Sequence, residues 1–266
     1  MSKVSLCLSI IKKIDMSITQ LKIGAAVTFF TNQPTPILFV DTCAILDILR
    51  LPFRENNPTT AKSYLDSAQH ALQLSKSNNL RIIILPNVPT EYSDNFQETK
   101  NELSRHISKS VQGLKVLEAL HLSRANQLSV PNLLSIDTEA FLEKICNDFI
   151  SNGIHIFQEN TITLRATNRV IKSIPPSRKG TIKDCIIYEH GLEICSLLRK
   201  QGFTEKIVFL TSNTKDYCDG NGYAKKQIND ELSAFEIRLC LNWSWAINDL
   251  YGDSIHLTPP SPEGIA

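Results

Sequence analysis

Apolar and polar positions along the chain fall into a small number of repeating units. ILFV at 37–40 is a continuous apolar run after the loop TNQPTP, as expected of a parallel strand covered on both faces, and it leads directly into Asp41. Thr42 can cap the helix that follows, CAILDILRL, which Pro52 bounds. A second helix is expected over about 60–77, with Tyr64, Leu65, Ala68, Ala71, Leu72 and Leu74 on its apolar positions. A second buried strand, RIIIL, then ends at Pro86, and NVPTEYSDNF reads as a turn opening a helix, with Pro89 and Glu91 in its first turn.

Residues from about 95 to 125 and from 137 to 151 carry helical periodicity, and HIF at 155–157 predicts a short strand. TITLRATNRVIKSIPPSRKG reads as a polar, basic connection. A long helix, TIKDCIIYEHGLEICSLLRKQ, stops at Gly202 and is followed by the strand KIVFLTSN, the loop NTKDYCDGNG and a last strand in FEIRLCL. Strands alternating with helices, each strand too apolar for one exposed face, predict an α/β domain with a mostly parallel sheet. Its expected limits are residues 36–241, with an arm at 1–35, an inserted helical and basic region at about 95–179, and a tail at 242–266.

Composition changes this picture little: 266 residues with 42% hydrophobic and 21% charged residues describe an ordinary folded chain. A net charge of +1 does not decide for or against nucleic acid. Seven cysteines without a CxxC pair fit reduced thiols, hence a cytoplasmic location, and Cys43, Cys185, Cys195 and Cys240 read as small buried hydrophobes. No HxxxH or HExxH spacing is present, which removes the common zinc hydrolase signatures. No apolar stretch is long enough to span a bilayer, and the lysines and Asp15 that interrupt the N-terminal run argue against a signal peptide.

Candidate chemistry lies at the strand ends. In open α/β sheets ligands bind beyond the carboxyl ends of the strands, and four acids are expected at that rim: Asp41, Glu91, Asp184 and Asp216. Carboxylates gathered there repel one another unless a divalent cation neutralises them, and an all-oxygen donor set suits Mg²⁺ or Mn²⁺. Glu189 and Glu193 lie about 140° and 180° around the helix from Asp184 and are expected to be solvated. Between Glu159 and Asp184 no acid occurs, while Arg165, Arg169, Lys172, Arg178, Lys179 and Lys183 do, a run that predicts contact with a phosphate backbone, the alternative being a solvated face. Trp243 and Trp245 are expected to be core, with base stacking as the alternative.

FVDTCAILDIL, GTIKDCIIYEHGLEI and FLTSNTKDY together resemble the segments that carry the acids of PIN domains. The resemblance implies a three-layer α/β fold and a metal-dependent endoribonuclease that hydrolyses single-stranded RNA, leaving a 5′-phosphate and a 3′-hydroxyl. It places metal and catalytic roles on Asp41, Asp184 and Asp216, with Thr42, Thr211 and Asn213 in support, and the three acids are expected to converge on one or two shared ions. Glu91 is the expected second acid, with Asp94 as its substitute. An antitoxin or a defence-system protein is a candidate partner, and a toxin or defence role stays open, as does the oligomeric state. The competing readings are a noncatalytic PIN-like module that binds RNA or protein, and a haloacid-dehalogenase-like phosphatase. The latter requires a second Asp where Cys43 stands.

Overall fold

A computed structural model describes residues 20–122, 137–177 and 181–252 of the chain. Its centre is a six-stranded sheet made of β1 (Gln20–Leu21), β2 (Ile37–Val40), β3 (Arg81–Ile84), β4 (Ile154–Ile156), β5 (Ile207–Leu210) and β6 (Ile237–Cys240). All neighbours pair in parallel, in the order β1-β4-β3-β2-β5-β6. Every residue of β2, β3 and β5 is buried, which is why these strands read as unbroken apolar runs.

Ten helices flank the sheet among the described residues: α1 (Ile23–Asn32), α2 (Thr42–Arg54), α3 (Pro58–Lys76), α4 (Val88–Leu122), α5 (Thr138–Asn152), α6 (Asn160–Ile171), α7 (Lys183–Lys200), α8 (Thr214–Tyr217), α9 (Lys226–Ser233) and α10 (Trp243–Tyr251). Helices α2, α3, α4, α5 and α10 pack on one another as one layer, and α1, α6 and α7 form a second. None of the helices described is long and apolar enough to cross a membrane.

Three segments depart from the sequence-based boundaries. The arm contributes to the domain itself, since β1 pairs with β4 and α1 buries Ile23, Ala26, Val27 and Phe30, while residues 1–19 lie outside the described residues. Within the inserted region β4 fills the place between β1 and β3. The C-terminal segment forms α10, which fixes Trp243 against Phe149 with ring centroids 4.4 Å apart and lets its indole N–H donate to the Ala44 carbonyl at 3.0 Å. Trp243 is core, whereas Trp245 is 48% exposed.

Residues 160–171, expected as a connection, form α6 instead. Ile162, Ala166 and Arg169 make its buried stripe at helical spacing. The stripe reads as polar because its third member is an arginine, which the fold neutralises. Arg169 donates from Nε to Glu189 at 2.7 Å, from Nη2 to both Glu231 oxygens at 3.0 Å and from Nη1 to the Pro175 carbonyl, and its guanidinium lies over the Tyr188 ring.

Candidate active site

Strand β2 pairs with β3 on one side and with β5 on the other, so the chain's direction of travel across the sheet reverses at β2, and a crevice opens beyond the carboxyl ends there. Val40 stands opposite Leu210 in the register, which puts Asp41 beside Thr211 at the rim. Asp41 is 3% exposed and carries three donors: Thr42 N–H to Oδ1 at 2.7 Å, Thr211 Oγ1 to Oδ2 at 2.6 Å and the Cys43 thiol to Oδ2 at 3.1 Å.

A cleft of about 270 Å³ lies in front of this carboxylate, lined by Asp41, Thr42, Cys43, Leu46 and Arg50 of the β2–α2 unit, Glu91 and Asn95 of α4, Asp184 of α7, and Asn213. Thr42 Oγ1 reaches Glu91 Oε2 at 3.2 Å, tying the second acid to the first unit. Asp94 is exposed and pairs with Lys183 at 3.5 Å, so of the two acids in that helical turn it is Glu91 that faces the cleft. Asn213 stands between the remaining acids, with Nδ2 donating to Asp184 Oδ1 at 3.2 Å and to Asp216 Oδ2 at 2.7 Å. Asp216 lies behind this amide, and its Oδ1 is buried without a hydrogen-bond partner.

Mutual repulsion follows. Burial, then the charges of Asp41, Asp216 and Glu91, push the Asp184 carboxyl up to about 7. Glu91 is raised by burial and then by Asp41, and Asp41 itself by burial, with Asp216 adding to the rise. Cys43 is half-buried and polar in its contacts, against the expectation of a small buried hydrophobe, for its sulfur also accepts the Ser212 N–H at 3.3 Å. Burial and the Asp41 charge hold its thiol well above the ordinary value, so it stays a neutral donor to Asp41. Cys185, Cys195 and Cys240 are buried as expected.

The basic run disperses. Arg169 is 7% exposed and fully engaged with Glu189 and Glu231, which removes it from any phosphate path. Arg165 bridges Glu189 at 3.2 Å and Glu193 at 2.6 Å, so neither glutamate is a free solvated acid, and Glu189 is 9% exposed. Lys172 is exposed at the end of α6, Lys183 is exposed near the rim, and Arg178 and Lys179 lie outside the described residues.

The family model of the PIN domain matches residues 38–217, about two thirds of the chain, from within β2 to the end of α8. The chain belongs to the PIN-domain family. Neither the curated proteins nor the solved structures give a significant match. PIN domains typically use divalent metals, and the chemistry of the donors here, carboxylate oxygens that include a buried Asp216 Oδ1 lacking any partner, is of the kind that takes a hard cation. Among the described residues, however, no three such side chains stand close enough to hold one ion by themselves. Of the three acids expected to converge, Asp184 and Asp216 are bridged by the Asn213 amide.

Proposed function

We propose that this PIN domain is a metal-dependent endoribonuclease that hydrolyses phosphodiester bonds in single-stranded RNA, leaving 5′-phosphate and 3′-hydroxyl ends. The observation that carries the reading is geometric: Asp41, Glu91 and Asp184 line one cleft at the sheet's switch point, and Asn213 ties Asp184 to Asp216 behind it. Carboxylates gathered in a cleft with raised proton affinity mark a candidate functional site, and a cation would relieve their repulsion.

Asp41, Glu91, Asp184 and Asp216 would hold Mg²⁺ or Mn²⁺, which when bound supplies an activated water and charge for the departing oxygen. The chain's own groups set the geometry. Thr211 and the Thr42 N–H fix both Asp41 oxygens, Thr42 Oγ1 aims Glu91, and Asn213 locks Asp184 to Asp216. Preorganised acids of this kind need no rearrangement as substrate enters.

Asp41→Asn and Asp184→Asn test the proposal, because an amide keeps the shape and loses the charge. Each is expected to lower RNA cleavage at least a hundredfold while circular dichroism stays unchanged. Full activity in either folded variant would contradict the assignment.

A further inference from the structure

One wall residue of the cleft has no part in the carboxylate cluster. Arg50 lines it on the same face of α2 as Thr42 and Leu46, at four-residue intervals. Opposite, α4 presents Glu91, Asn95 and Thr99 at the same intervals, and Arg50 Nη2 donates to Thr99 Oγ1 at 3.3 Å.

Its charge is not consumed by the fold. Asp47 Oδ1 receives Arg50 Nη1 at 3.3 Å but also Arg54 Nη1 at 2.9 Å, so one carboxylate serves two guanidinium groups and one positive charge is left in excess. Arg50 Nε is buried with no partner. Among the described residues Arg50 is thus the single cation lining a cleft that otherwise holds three carboxylates and two amides. A guanidinium presents a planar fork that matches phosphate, and leaving one partly unpaired in a substrate cleft is costly unless a ligand completes it. From Thr42 to Arg50 the helix rises about 12 Å, which sets the guanidinium apart from the carboxylate end.

We propose that Arg50, with Asn95 on the facing wall of the cleft, forms a phosphate subsite that holds a phosphodiester of the RNA strand neighbouring the one that is cut. The inference rests on the nuclease reading of the carboxylates. It makes Arg50 a positioning residue that acts on substrate affinity and register.

Binding is measured in the Asp41→Asn chain, which removes turnover, using a fluorescent single-stranded RNA titrated at several salt concentrations. Adding Arg50→Gln is expected to weaken binding severalfold and to flatten the slope of log affinity against log salt by about 0.7, one phosphate contact on a single strand. Arg50→Lys should restore the slope. In the otherwise native chain Arg50→Gln should raise KM with kcat little changed, a split that a merely structural role would not give. Unchanged affinity and slope in Arg50→Gln, or no RNA binding by the Asp41→Asn chain at all, overturn the subsite. If Arg50→Gln does not fold, Asn95→Asp at an exposed position puts a negative charge in the same place, and it must weaken binding at least threefold or the subsite is overturned. Failure of the nuclease reading shows separately, as no metal-dependent cleavage by the native chain.

Discussion

Asp184 holds its proton far more tightly in the folded chain than a free carboxyl does, about 7 against 3.8. Such a group contributes stability fully below its unfolded value, and the contribution is lost as pH rises through its folded value. The metal-free chain is therefore expected to lose thermal stability between about pH 4 and pH 7. Asp184→Asn removes the effect, so in chelator its Tm should exceed the native Tm at pH 8 and the gap should close at pH 4. A gap independent of pH would show that neither burial nor the neighbouring carboxylates raise Asp184. At this scale the sequence was legible where an acid directly follows a buried strand, as at Asp41, because backbone position alone puts it at the rim. Arg50 was not legible, since its place in the cleft depends on how α2 lies against α4, a packing relation that no local motif encodes.

Helix α6 shows what one element hides. Its apolar stripe is completed by Arg169, so the hydrophobic period breaks at the residue that binds α6 to α7 and α9 through Glu189 and Glu231. Removing one partner of a buried ion pair leaves uncompensated charge and typically costs about 3–5 kcal/mol. Arg169→Ala is expected to destabilise the domain by that order in urea unfolding, with the salt dependence of RNA binding unchanged. A normal unfolding midpoint with a flattened salt slope would return Arg169 to the phosphate-binding role its charge suggested. Strands β2, β3 and β5 were readable because burial on both faces leaves them uniformly apolar, whereas β1, two residues long, offers no pattern to read.

For the molecule as a whole, the reversal of strand order at β2 explains why residues from four separate stretches meet. Acids carried by the β2–α2 turn, α4, α7 and the segment after β5 all come to the carboxyl ends of neighbouring strands. The first described residues pack into the domain as well, since α1 lies against α7 and buries Phe30 completely. Phe30→Ala is expected to cost about 3–5 kcal/mol, and an unchanged unfolding free energy would mark the N-terminal segment as a detachable arm. End-group analysis of the cleavage products is the most direct test of metal-dependent hydrolysis by this chain. Single-stranded RNA incubated with the purified chain should be cut internally in Mg²⁺ or Mn²⁺, give fragments with 5′-phosphate and 3′-hydroxyl ends, and stay intact in chelator. Cleavage that persists in chelator, or fragments ending in 2′,3′-cyclic phosphate, would contradict the account.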